Sequence, residues 1–181
     1  MPAMKFALGF IAAVVVIAVG AAITALSYDV AASAPEPEAV SSILHSVMRH
    51  SVQARAAAAG RESWSPAELQ KGFEEYDEMC VICHSAPGKE RTPISKGLQP
   101  QPPDLAKAST QWTTAQLFWI ISNGVRMTGM PAFGRTHGDA EIWNIVGFVR
   151  LLPKIPAQTY RDMESRAAAT RREEETRHGR P

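Results

Sequence analysis

The hydrophobic pattern begins with an unbroken apolar segment near the N-terminus. Residues 6–26 are FALGFIAAVVVIAVGAAITAL, which contains no charge and one polar side chain, Thr24. As a helix these 21 residues would be about 30 Å long, the hydrocarbon thickness of a bilayer. The apolar region of a cleavable signal sequence is shorter, about 7–15 residues. We therefore predict a retained transmembrane anchor over residues 1–27, with cleavage after Ala34 as the alternative.

Residues 28–61 combine a linker with a second periodic segment. Residues 27–39 are rich in Ala, Pro and Glu, a composition typical of an extended tether. From residue 42 to 58, apolar side chains recur at helical spacing and predict an amphipathic helix. Its apolar stripe needs a surface to cover, and the pattern does not choose between the folded domain and the membrane.

The segment 62–158 begins with a strong helix-start signal. Ser65 suits an N-cap, Pro66 the first helical position, and Glu68 the third position of a capping box. Apolar residues then recur every three or four positions as far as Cys80, which predicts a helix that leads directly to this cysteine.

Two more helices follow a loop that is rich in Pro and Gly. Thr113 and Gly124 bound a helix that is apolar almost all round and should therefore be buried on several sides. The last helix of the domain begins near Asp139 and ends at Pro153. Because no segment shows a convincing strand alternation, we predict an all-α domain with long loops.

The last segment, residues 159–181, is polar. Beyond Tyr160 it contains almost no large apolar side chain. Such a segment buries too little surface to offset the entropy lost on ordering, so we predict a disordered tail, or else a solvated helix.

The cysteines carry the candidate chemistry. The chain has two, Cys80 and Cys83, with His84 directly after them. A thioredoxin-type site needs a βαβ context, which this sequence lacks. A zinc site needs four ligands. His45, His50 and His137 lie at no finger-like spacing from the cysteines, so they do not complete a zinc site with them. The motif Cys-x-x-Cys-His matches covalent attachment of one haem c, with two thioethers and an axial imidazole.

A haem held by one imidazole has a second axial position to fill. Met130 precedes Pro131, which would stiffen the loop that presents the sulfur. A thioether there would give a six-coordinate electron carrier with a raised potential. Met127 is the rival ligand and His137 would give a bis-histidine haem, while an open or labile position would permit gas sensing or oxygen chemistry.

The order of a helix, Cys-x-x-Cys-His, a proline-rich loop, Met-Pro and a terminal helix resembles the class I cytochrome c family. The resemblance covers about residues 62–157 and implies its all-α fold, with three main helices and long loops around one haem. It also implies that Met130 is the distal ligand. PPDL resembles the family's Pro-x-Leu segment, which implies that the carbonyl of Pro103 accepts a hydrogen bond from His84.

The resemblance further implies how two helices cross. Gly72 and Tyr76 match a glycine–aromatic pair on the family's first helix, where it meets the terminal helix. Their partners here should be Ile145 and Phe148.

These observations lead to an expected function. We expect a membrane-tethered electron carrier rather than an enzyme, in the inner membrane, with its haem domain on the periplasmic side of a respiratory chain. Its partners would be a redox donor and acceptor. The alternative is a haem subunit of a larger dehydrogenase or terminal oxidase. The net charge of +1 gives no indication of nucleic-acid binding.

Overall fold

The computed structural model describes residues 2–178, and these form helices and loops with no strand among them. The predicted all-α fold is confirmed. The helices are α1 (Pro2–Ser27), α2 (Glu38–Arg55), α3 (Pro66–Glu75), α4 (Val81–His84), α5 (Pro93–Gly97), α6 (Leu105–Ala108), α7 (Thr114–Asn123), α8 (Asp139–Leu151) and α9 (Ala157–His178). A π-helical turn, Tyr76–Cys80, joins α3 to α4, and short 3₁₀ turns lie at Ser109–Gln111, Phe133–Arg135 and Leu152–Lys154.

Helix α1 forms a unit of its own with the residues up to Pro35. Its stretch Met4–Ser27 is the one helix within residues 2–178 that is long and apolar enough to cross a membrane. None of its described side chains is buried. This agrees with the expected anchor in length and composition, criteria that a signal sequence also meets.

The centre of the second unit is the crossing of α3 over α8. Gly72 lies so close to α8 that a Cβ there would be 2.0 Å from the carbonyl oxygen of Asn144 and 3.1 Å from the Cβ of Phe148. The rings of Tyr76 and Phe148 are 5.4 Å apart. The predicted contact of Gly72 and Tyr76 with Phe148 is confirmed. Ile145, the other expected partner, is buried in the same core.

The predicted caps of α3 and α7 are both present. Ser65 and Glu68 form the capping box that starts α3. Thr113 and Gln116 form the box that starts α7, and Gly124, with φ of 64°, ends that helix. Because only glycine adopts this φ at little cost, the helix stops where the sequence predicts.

Helix α2 belongs to the second unit and begins four residues earlier than the predicted residue 42. Val52 is buried, and the guanidinium of Arg49 lies 4.6 Å above the ring of Trp112. By contrast, Ile43 and Val47 are 63% and 60% exposed. The C-terminal half of α2 thus packs on the domain, while part of its apolar stripe faces solvent.

Residues 159–178 lie in α9, so the tail takes the helical alternative of the two predicted states and is not disordered. Tyr160 is fully buried, and its hydroxyl donates to Asp77 Oδ1 at 3.0 Å. Ala167 is also buried, while Met163 packs against the core. These three side chains recur at helical spacing on one face, and this short stripe supplies the burial that offsets the ordering entropy. The boundary at residue 158 therefore falls inside a packed helix. Residues 179–181 lie outside the described residues.

Candidate functional site

An apolar cleft brings four of the predicted site residues together. Cys80, Cys83, His84 and Met130 all line it. They come from distant parts of the chain, since α4 and the turn before it supply the first three and the loop after α7 supplies the methionine. Most of the remaining lining is apolar and includes Leu98, Leu105, Ile121, Phe133, Ile145 and Val149.

The two cysteines are free thiols, and both are half-buried. Burial, reinforced by the negative charge of Glu75 and by Cys83, raises the pKa of Cys80 to about 12. A thiol with so high a pKa is a poor nucleophile for disulfide exchange, which argues against a thioredoxin-type site. Within residues 2–178, moreover, no three His, Cys, Asp or Glu side chains cluster as metal ligands. This argues against the zinc alternative.

The ring of His84 is fixed through one nitrogen. Its Nδ1 lies 2.9 Å from the carbonyl oxygen of Pro103. Because a carbonyl can only accept, Nδ1 carries the proton and donates it, which leaves the lone pair on Nε2. Burial lowers the pKa of His84, although the bond to Pro103 acts in the opposite direction. A neutral imidazole with a free Nε2 is the form that binds a metal.

The carbonyls at the end of α4 are held by side chains that the sequence reasoning missed. The hydroxyl of Thr92 donates to Ile82 O at 2.5 Å, and that of Ser95 donates to Cys83 O at 2.6 Å. The phenol of Tyr76 donates to Ser85 O at 2.6 Å. The signal for the first two was the Thr-Pro pair that starts α5, where Thr92 is the N-cap and Pro93 the first helical residue.

Met130 lies on a loop whose backbone is closely packed. Val125 N–H donates to Met130 O at 3.3 Å, and Met130 N–H donates to Thr128 Oγ1 at 3.1 Å. A Cβ on Gly124 would lie 2.6 Å from the carbonyl carbon of Pro131, so the two ends of the loop meet there. This packing holds the methionine at the cleft.

The two rival axial ligands lie elsewhere. Met127 is 75% exposed and does not line the cleft. His137 is not among the lining residues either; its Nε2 lies 3.7 Å from the Glu75 carboxylate, and its Nδ1 lies 2.8 Å from the Thr136 hydroxyl. Of the candidates considered, the structure brings only Met130 into the cleft with His84.

The residues of the cleft fit a haem. They offer two thiols at the spacing of the attachment motif, an imidazole with a free Nε2, a thioether and an apolar lining. Residues 67–149, which run from α3 into α8, match the family model described as cytochrome c oxidase, cbb3-type, subunit III. Over these residues the match confirms the resemblance to the cytochrome c family. No curated protein matches the chain.

Proposed function

We propose that this protein is a membrane-tethered c-type cytochrome that carries single electrons on the periplasmic side of a respiratory membrane. One haem c would be attached through Cys80 and Cys83, with His84 and Met130 as axial ligands. The observation that carries this proposal is the meeting of all four side chains in one apolar cleft.

When bound, the haem supplies an iron that accepts and returns one electron. The chain's own residues orient the ligands and exclude water. Pro103 orients the imidazole of His84, and the closed loop from Gly124 to Pro131 presents the sulfur of Met130. The apolar lining excludes water and disfavours the more highly charged ferric state. With His84 and Met130 as its two axial ligands, the haem would leave no position open to a substrate, which favours a carrier over an enzyme.

The length and composition of α1 support the tether. Lys5 precedes the apolar segment and Asp29 follows it. Because cytoplasmic flanks carry the positive charge, this arrangement favours a cytoplasmic N-terminus and a periplasmic haem domain. Alkaline extraction of membranes tests the tether, since an anchored protein stays in the pellet and a cleaved one is released.

Redox titration of the haem-loaded protein tests the function. We expect a single reversible transition with one electron per haem, and little binding of carbon monoxide to the untreated ferrous protein. Rapid carbon monoxide binding would instead show a labile distal ligand and favour a sensor or an oxygen-reacting enzyme.

A second candidate is a haem subunit of a larger oxidase or dehydrogenase. Two observations favour it: the matching family model is described as an oxidase subunit, and α2 leaves Ile43 and Val47 exposed as a possible contact surface. Purification in mild detergent separates the two candidates. A lone species favours the carrier. Partner subunits that co-purify in fixed ratio, and that are lost on Ile43→Ser with Val47→Ser, favour the subunit.

A further inference from the structure

Arg91 lies in the loop after the cysteine motif, at the centre of a hydrogen-bond network around His84. One nitrogen of its guanidinium, Nη1, donates to the carbonyl of Pro102 at 2.8 Å and to the hydroxyl of Ser95 at 3.1 Å. Arg91 is half-buried, and Ser95 is fully buried. Within residues 2–178, no carboxylate lies within 4.0 Å of this guanidinium. The hydrogen bonds of Arg91 therefore go to neutral oxygens, and no carboxylate in this range compensates its positive charge.

These contacts close a ring that begins and ends at His84. On one side, Ser95 donates to the carbonyl of Cys83, the residue directly before His84. On the other side, Arg91 holds the carbonyl of Pro102, and the next residue, Pro103, accepts the bond from His84 Nδ1. The guanidinium thus links the backbone that carries the histidine to the backbone that orients its ring.

We propose that Arg91 is a positioning residue that fixes the plane of the His84 imidazole and raises the reduction potential of the site. This inference rests on the proposed function, because it concerns the axial ligand of the same haem. Both bonds leave from Nη1, whose two hydrogens have fixed directions in the plane of the guanidinium, whereas the ammonium of lysine rotates freely and lacks this plane. Its uncompensated positive charge favours the ferrous state, which carries one positive charge fewer than the ferric state.

The test compares haem-loaded full-length variants in detergent. Arg91→Gln removes the charge, Arg91→Lys keeps the charge without the planar group, and Ser95→Ala opens the ring without changing charge. Arg166→Gln is the control, because this exposed arginine lies on α9. Midpoint potentials come from redox titration. The orientation of the ligand plane comes from the g-values of the ferric protein in electron paramagnetic resonance.

We expect Arg91→Gln to lower the potential, so that the ferrous-to-ferric ratio at fixed applied potential falls on the order of tenfold. Arg91→Lys should keep a potential nearer to wild type. Arg91→Gln, Arg91→Lys and Ser95→Ala should all shift the g-values, whereas Arg166→Gln should change neither quantity. If Arg91→Gln does not mature, the lysine and alanine variants decide the test through their g-values.

This inference would be overturned if neither Ser95→Ala nor the Arg91 variants shifted the g-values, and if an Arg91→Gln protein that acquires haem kept the wild-type potential. The wild-type spectrum separates it from the proposed function. If the wild-type protein carries attached haem but the Arg91 variants change neither the potential nor the g-values, only the role of Arg91 is refuted. A wild-type protein without haem refutes the proposed function, and the role of Arg91 falls with it.

Discussion

Gly72→Ala tests the helix crossing on which the cleft is built. The added Cβ would lie 2.0 Å from the carbonyl oxygen of Asn144, whereas non-bonded carbon and oxygen atoms come no closer than about 3.3 Å. Helices α3 and α8 would therefore have to separate by about 1 Å. Overpacking of this kind costs about 1–3 kcal/mol, and the upper end applies because the obstacle is backbone. Alanine recovers about 1 kcal/mol of helix propensity. The net loss of stability is thus about 2 kcal/mol.

Urea unfolding of the haem-loaded protein, followed by circular dichroism, measures this loss. We expect a lower midpoint with an unchanged slope, and a fall in melting temperature of roughly 5–10 °C. Gly97→Ala is the matched control, because a Cβ at Gly97, at the end of α5, meets nothing within 4 Å. That control should unfold like wild type or slightly later. If Gly72→Ala were as stable as Gly97→Ala, the close crossing of α3 and α8 would be refuted.

Three further predictions concern the distal ligand, the tail and acid stability. Met130→Ala should abolish the near-infrared sulfur-to-iron absorption band of the ferric protein while the haem stays attached, and Met127→Ala should keep the band. Tyr160→Ala should cost about 3–5 kcal/mol in urea unfolding, because it empties a fully buried aromatic site; unfolding like wild type would mean that α9 is not docked. Hydrogen bonds from the backbone of Ser65 and from Arg61 lower the pKa of Glu68 to about 2. Its stabilising effect is therefore present above pH 4.5 and lost as the pH falls towards 2, and Glu68→Gln should flatten this part of the stability profile.

The sequence predicts the ends of helices best where neighbouring residues determine them. The capping boxes at Ser65 and Thr113 and the stop at Gly124 are local signals, and the structure has all three. The attachment motif is also local, because Cys80 and His84 lie within one short stretch. These elements depend on neighbouring residues and not on the path of the rest of the chain.

The features that the sequence did not predict depend on distant contacts. The polar composition of the tail predicts disorder or a solvated helix, but Tyr160 packs beside Phe73, with the ring centroids 5.5 Å apart. Likewise, Arg91 lies in a loop whose composition gives no hint that its side chain meets the carbonyl of Pro102. Such contacts become visible only once the chain is folded.

The mass of the mature chain tests the central claim most directly. The full-length protein should be produced in cells that attach haem in the periplasm, and then denatured so that any non-covalent cofactor is lost. We predict a polypeptide heavier by one haem, with Soret absorption that survives denaturation and disappears in the double variant Cys80→Ala with Cys83→Ala. A wild-type chain with the mass of its residues alone and no Soret absorption would contradict the account.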